Sequence, residues 1–468
     1  MRDRGGRRLC AALPLRGPSA ADNTTLAMPS DRQAPPGQAT SRLPPKSFAI
    51  IFGVSIVTAL GNTGMQSVLP AIGRSIGFPD YLVAAIFSLS AMLWAFSSPF
   101  WARQSDRGGR KPMMQLGLAG FLVSMICCGL VVSAGVRHLA QPLVIFVLFL
   151  LARALFGLFG AASNPATQAY VAERTDREER TQALAGLAGA FGLGTIVGPA
   201  IAPVFVLPVV GLAGPMFAFA ALAAAMMIVV RRLPEAKGPP VSVVQESAAE
   251  ARAKSRALLR DPRITPFLVY GFLVAACQTA QGQTLGFLII DKLHLPPMQA
   301  QGYTAVAMMA GAVAGLLAQW GLIRMFRMGP RDLLRWGAGI AAVANLLVAF
   351  APSYSAVVMG YALSSLGYGF CRPGFTAGAS LAVDHAEQAR AAGAIAAVNG
   401  LNTVVAPLFV LLYSSWHPGP FLINALTLAA LVAYAIANRG LSRAAEAATT
   451  EEETTQSSLE RAQEGVSV

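Results

Sequence analysis

WARQSDRGGRKP, residues 101–112, sets Arg103, Asp106, Arg107, Arg110 and Lys111 into one short stretch. On either side lies a long apolar run, at 81–103 and at 112–134. A helix needs about 20 apolar residues to cross a hydrocarbon core about 30 Å thick. A charged turn between two such runs therefore marks a chain that leaves a bilayer, turns in water and re-enters it. The pattern recurs along the chain, with apolar runs near 47–70, 142–172, 182–206, 211–230, 265–290, 302–323, 332–350, 354–383, 391–414 and 418–437. Hydrophobic residues fill 54% of the 468 positions and charged ones 13%, which is too apolar for a water-soluble chain of this length. Backbone groups inside lipid must bond within their own segment, so each run reads as a helix. The predicted fold class is all-α: a polytopic membrane protein with twelve transmembrane helices.

A net charge of +13 would suggest nucleic acid in a soluble protein, but here the placement of the basic residues decides. With both termini in the cytoplasm, the cations of the tails, of 101–112, of ERTDREER, of the 231–264 linker and of IRMFRMGPR share one side, and only Arg74, Arg137 and Lys292 fall on the other. That is a positive-inside bias, a topology signal, and no nucleic-acid partner is expected. The arginine-rich, alanine-rich composition is of the kind associated with GC-rich bacterial genomes, so the expected place is a bacterial inner membrane, with the lipid bilayer as partner and a monomer as the unit. Residues 1–46 are basic and Pro-rich with a faint twin-arginine look at Arg7-Arg8, and 438–468 are polar with an acidic patch; both read as disordered cytoplasmic tails, with Met28 an alternative start. Four of the five cysteines lie within predicted spans, so free thiols rather than a disulfide framework are expected.

The chain repeats itself. GLGTIVGP at 192–199 matches GLNTVVAP at 400–407, and TALGNTGMQSVLPAIGRSIGFP, ending at Pro79, aligns without gaps on AACQTAQGQTLGFLIIDKLHLP, ending at Pro296, which superposes Gln66 on Gln283. Two six-span halves follow, 47–230 and 265–437, joined by a charged cytoplasmic linker at 231–264.

Six plus six spans about an axis along the membrane normal is the plan of major facilitator transporters, and specific residues carry the likeness. The stretch at 101–112 resembles that superfamily's loop signature: Asp106, Arg107, Gly109, Arg110 and Lys111 match, while Ala102 stands where a glycine is usual. LLARALFGLFGAA around Arg153 is similar to the family's Arg-x-x-x-Gly motif. GLGTIVGPAIAP, with Gly194, Gly198 and Pro199, is similar to the antiporter-associated Gly-x-x-x-Gly-Pro motif, with Ala202 and Pro203 in place of a usual Gly-Gly pair. The likeness spans 47–437 and is strongest to the drug:proton antiporter branch. It implies two pseudo-symmetric six-helix bundles and a latch at Asp106 that holds the cytoplasmic side shut, with Arg390 as the expected partner. Gly186, Ala190, Gly194, Gly198 and Ala202 recur every four residues, as do Ala307, Gly311 and Gly315, so the two small-residue faces are expected to pack together across the halves, with Pro199 loosening its helix.

Polar side chains sit deep in several runs: Asn62, Gln66, Arg153, Asn164, Gln168, Gln278, Gln281, Gln283, Arg372, Asn399 and Asn402. A charge at a helix centre costs about 2.5 to 3.5 kcal/mol on insertion scales, so these groups are expected to face a wet cavity. Each Asn or Gln reads either as an interhelical hydrogen-bond partner or as a substrate contact. The candidate substrate contacts are Arg372, Gln66, Gln283, Asn62, Gln278, Asn164, Asn402 and Arg153.

No Asp or Glu lies deep in a span. Proton coupling would then use a helix-end carboxylate such as Asp291 or Asp106, ride on the substrate's own proton, or be absent. The leading expectation is a secondary transporter that exports small amphiphilic molecules by alternating access. The competing one is an organic-anion carrier that selects its substrate with Arg153 and Arg372. The sequence has no phosphate-binding loop, zinc-protease motif or nucleophile elbow, and it calls for no enzyme activity, cofactor or metal.

Overall fold

The structure, a computed structural model, describes residues 44–235 except 176, 261–383 except 327, and 402–438, with 387, 391, 394, 395 and 398 between. Its elements are helices: α1 Pro45–Ile76, α2 Asp80–Gly108, α3 Arg110–Val136, α4 Pro142–Ala172, α5 Arg177–Ile201 and α6 Gly214–Val230, then α7 Thr265–Leu293, α8 Pro297–Phe326, α9 Pro330–Ala349, α10 Tyr354–Leu381, α11 Asn402–Ser415 and α12 Gly419–Ala437. Among the described residues nine helices are long and apolar enough to cross a membrane. The remaining three are α6 and α11, which are short, and α10, whose polar residues lower its hydropathy. The twelve predicted spans are thus all present as helices, although the start of the eleventh lies outside the described residues.

Turns and breaks follow local chemistry. Proline opens α1, α4, α7, α8, α9 and α12, where its missing N–H costs nothing. Gly77 ends α1 in the left-handed region at φ 92°, its N–H donating to the Gly73 carbonyl. Within α4 a single 3-10 turn at Gly160–Ala162 interrupts the α-helix, and α8 contains a π-helical stretch at Leu317–Leu322. Beyond Pro199 the chain stays helical to Ile201 and tightens into a 3-10 turn at Ala202–Phe205.

The packing repeats between halves. α3 lies against α4 and α6 as α9 lies against α10 and α12, and α2 meets α4 as α8 meets α10. Across the halves, α2 meets α11, α5 meets α8, and α1 meets α7 and α8. Among the described residues the apolar core is continuous across the halves at one level. Leu69, Ile72, Phe78, Phe87 and Phe149 form one cluster with Phe287, Val410, Tyr413 and Phe421, at the end of the bundle that carries Arg74. Toward the Asp106 end the buried clusters are separate, Ile51, Val54, Met114 and Tyr170 in one half and Phe267, Tyr270, Phe375 and Leu431 in the other. The halves are therefore sealed by apolar packing at the Arg74 end.

The expectation for the small-residue faces is overturned. A Cβ on Gly194 would lie 2.6 Å from the Ile56 carbonyl, and one on Gly198 only 2.3 Å from that of Leu60, so this face is pressed on α1 within its own half. Gly311 likewise packs on Tyr361 and Ser365 of α10. α5 reaches α8 through a different, looser face: a Cβ on Gly189 would lie 3.6 Å from Trp320 and one on Gly192 4.0 Å from Leu316. Small residues reveal that a backbone comes close; they do not say whose.

Candidate functional site

At the Arg74 end, four helix ends converge on one guanidinium. Arg74, in the last turn of α1, donates to Asp80 at the start of α2, Nε to Oδ1 at 3.1 Å and Nη2 to Oδ2 at 2.7 Å. It also donates to Asp291 in the last turns of α7, from Nη1 to Oδ1 and from Nη2 to Oδ2 at 3.1 Å. Tyr413 of α11 donates its hydroxyl to Asp291 Oδ2 at 2.7 Å, and His417 Nε2 stands 3.5 Å from the same oxygen. The Arg74 guanidinium lies over the Phe287 ring at 5.4 Å. Arginine's planar fork allows one side chain to hold two carboxylates, one from each half. Ser88 of α2 adds a second polar tie between halves, donating to the Thr403 carbonyl at 2.7 Å. In the sequence Arg74 stands out only as an exception to the charge bias. That exception was the usable signal: a cation on the wrong side of a topology rule, six residues from one carboxylate and aligned by the internal repeat with the segment carrying another.

At the opposite end, the 101–112 turn is knitted within one half. Arg110 pairs with Asp106 at 2.6 Å and with Glu173 at the end of α4 at 2.6 Å, and Lys111 donates to the Arg231 carbonyl after α6 at 2.8 Å. Gly109 sits at φ 92°, where only glycine is unstrained, and a Cβ there would meet Glu235 at 2.8 Å. Arg107 ends α2 without a described ion pair. The expected partner of Asp106, Arg390, lies outside the described residues. In the second half, Arg263 before α7 binds Asp261 at 2.7 Å and Glu387 at 3.0 Å; the guanidinium holds the Asp261 carboxyl below its usual range. Every ion pair described at this end stays within one half.

Between the two ends lie the polar side chains of the interior. Arg153 is 1% exposed, donates from Nη2 to Asn62 Oδ1, its single described side-chain hydrogen bond, and has Phe87 and Phe156 against its guanidinium at 5.2 and 4.6 Å. Its Nε and Nη1 are buried without partners. Asn402 is tied to α7 by Thr279, whose hydroxyl donates to it at 2.8 Å, and Gln281 donates to Ser364 of α10 at 2.7 Å. Asn164 is exposed and accepts from Gln168 at 3.2 Å. Gln66 is half-buried, Gln283 buried and Gln278 exposed, none with a described hydrogen bond. Asn399 lies outside the described residues. Among the described residues the structure thus joins Arg153 to Asn62 and Asn402 to Thr279, and leaves Gln66, Gln278, Gln283 and Arg372 without a side-chain hydrogen bond.

Arg372 answers to a different geometry. The lipid-facing stripe of α10 runs through Met359 and Leu363, and at about 100° per residue Arg372 stands roughly 200° around the helix from it. The flanks of α10 are covered by α9 through Gly367 and Gly374, by α8 through Gly369, and by α7 through Gly378. The Arg372 side chain is exposed on that far side of α10, away from the apolar stripe. On α7, Gln278 is about 180° from lipid-exposed Val269, and a Cβ on Gly282, one turn on, would meet open space. Both helices open toward the bundle interior there.

Comparison with known proteins agrees with this architecture. The nucleoside transporter NupG superposes with a TM-score of 0.65 at 14% identity, over 83% of this chain and 98% of that one. A bacterial homologue of the human lysosomal transporter Spinster, in an inward-facing and unoccupied conformation, gives 0.66 at 13%, over 86% and 99%. The human organic anion transporter MFSD10 gives 0.59 at 19%, over 84% and 100%. At these identities the likeness is one of fold. No curated protein matches the sequence. The sequence pattern of the Major Facilitator Superfamily matches residues 51–407, three quarters of the chain and both of its halves. The twelve-helix protein described here belongs to that superfamily of membrane transporters.

Proposed function

We propose that this chain is a secondary carrier that exports small amphiphilic molecules across a bacterial inner membrane by alternating access, with both termini cytoplasmic and the monomer as the working unit. The observation that carries this reading is the unequal tying of the two mouths. At the Arg74 end a continuous apolar core and the Arg74, Asp291, Tyr413 cluster join the halves; at the Asp106 end the described ion pairs stay within one half. A carrier needs such a closure at one face that gives way as the other forms. The charge bias puts the Arg74 end outside, so the conformation is read as closed outward and open inward. The loop at Asp106, Arg107, Gly109, Arg110 and Lys111 is the device that would close the inner face, and Gly194 and Gly198 hold α5 on α1 while the halves rock, with Pro199 next to them inside α5. Protons enter this scheme through Asp291: a protonated carboxyl would hold Arg74 less strongly and favour opening.

The test is a reversible lock. Arg74→Cys with Asp291→Cys, in a background without the five native cysteines, is oxidised in proteoliposomes and offered fluorescent amphiphiles of both charges. Flux that stops on oxidation and returns on reduction is the expected result. Flux indifferent to the crosslink would sink the carrier reading.

A further inference from the structure

Resting on the carrier reading above, we infer that the transported amphiphile is a monoanion and that Arg372 is the site that takes its carboxylate, sulfonate or phosphate-ester head. The chamber has an unbalanced charge. Arg153 and Arg372 are both set within spans, whereas the carboxylates of the described spans sit toward helix ends: Asp80 and Asp291 around Arg74, Asp106 and Glu173 around Arg110, and Asp332 and Glu179 in the first turns of α9 and α5. Among the described residues the Arg372 side chain makes no hydrogen bond or ion pair, whereas Arg74, Arg110 and Arg263 each hold carboxylates. An exposed guanidinium on the side of α10 away from its apolar stripe, with no described counter-charge, suits an anion: its planar fork matches a two-oxygen head, and low-dielectric protein around it focuses its field.

The structure also limits the number of charges. Arg153 is closed off by Asn62, Phe87 and Phe156, with no solvent path to its guanidinium, so it cannot take a second head group in this conformation. Of these two arginines Arg372 alone is accessible, which favours one negative charge. This separates the two arginines that the sequence suggested as a pair: Arg372 receives, while Arg153 contributes a fixed positive potential from the facing half. Measured along their helices from the Arg74 end, Arg372 lies about 27 Å in and Gln278 about 22 Å in, at 1.5 Å per residue. The exposed carboxamide of Gln278 and the open space over Gly282 then offer a neutral polar contact and room for the body of the molecule at a similar depth.

Three probes of matched size test the charge: phenylacetate, phenylacetamide and phenethylammonium. Wild type, Arg372→Lys and Arg372→Ala are compared in proteoliposomes by initial flux and by counterflow, with pH and voltage gradients imposed separately. Size-exclusion profiles and melting temperatures of each variant serve as folding controls. The expected result is saturable phenylacetate flux in wild type, at least tenfold lower in Arg372→Ala and partly kept in Arg372→Lys with a raised KM, while the amide and the cation move poorly in all three. Undiminished phenylacetate flux in a folded Arg372→Ala, or a wild type that carries the cation and not the anion, overturns the inference while leaving the carrier reading intact. Absence of counterflow for all three probes overturns both. Should Arg372→Ala fail to fold, the KM of Arg372→Lys decides: an unchanged value for phenylacetate counts against the inference.

Discussion

Arg74 and Asp291, 217 positions apart in sequence, form the ion pair that joins the two halves of the molecule at one mouth. The pair is part-exposed, each side chain about a quarter accessible, so its Coulomb energy is moderated by solvent. Its leverage comes from position. Whatever free energy it contributes exists only while that mouth is shut.

Neutralising it should therefore shift the opening equilibrium more than it affects folding. Loss of one partner of a charge-assisted bond costs about 1–3 kcal/mol, which is roughly a 5- to 150-fold shift in a two-state equilibrium. In Asp291→Asn, a cysteine placed at Gln66 should be alkylated faster from the Arg74 side by a membrane-impermeant reagent. Tyr413→Phe removes one neutral donor and should give a smaller shift of the same sign. Equal alkylation rates in wild type and Asp291→Asn would show that the pair does not hold the mouth.

The backbone contact between α5 and α1 predicts a second, separable effect. A methyl group on Gly198 would sit 2.3 Å from the Leu60 carbonyl, and there is no flexible side chain to yield. Overpacking of this kind costs about 1–3 kcal/mol. Gly198→Ala should lower the melting temperature of the purified protein, whereas Gly282→Ala, whose new methyl enters open space, should leave it unchanged. The reverse order of the two would contradict the packing described.

Arg153 supplies the third. Its charge is buried with one amide partner and two aromatic rings, and no carboxylate balances it. Asn62→Leu removes that partner and should destabilise by about 1–3 kcal/mol, the cost of a stranded donor. Replacing the arginine itself with methionine removes the buried charge and fills its volume; comparable exchanges are neutral or stabilising by about 1–4 kcal/mol. Arg153→Met should thus melt at or above the wild-type temperature yet carry substrate poorly. A large loss of stability in Arg153→Met would mean that its contacts with Phe87 and Phe156 outweigh the burial of its charge.

The spans were legible because a bilayer imposes a length and a composition that no packing detail can override. The repeat was legible for a related reason, since equivalent helices in two bundles meet equivalent neighbours. Partners were not. Gly194 and Gly198 advertised a close backbone, and the sequence could not say that it belonged to α1 rather than α8. Polar groups in mid-span were visible one by one, but whether Asn402 meets Thr279 or a ligand depends on a rotation of two helices that hydrophobicity does not fix. The Arg74 cluster is assembled from four helix ends, each unremarkable alone.

The turn at the Asp106 end allows a functional role to be separated from a structural one. Asp106 is 58% exposed, and its bond to Arg110 is an i,i+4 contact on a wet surface. Such pairs contribute at most about 1 kcal/mol, so Asp106→Asn should leave the melting temperature nearly unchanged. Gly109 is different: any side chain there is strained at φ 92°, and a Cβ would also displace the flexible Glu235 carboxylate, so Gly109→Ala should cost about 1–2 kcal/mol in stability, mostly from the backbone. If the loop only sets the turn, transport should track stability, and Gly109→Ala should be the worse carrier of the two. If Asp106 closes the inner mouth, Asp106→Asn should lose transport while remaining as stable as wild type, and alkylation of a cysteine at Asn164 from the Asp106 side should become faster. A stable, fully active Asp106→Asn would confine the loop to its role as a turn.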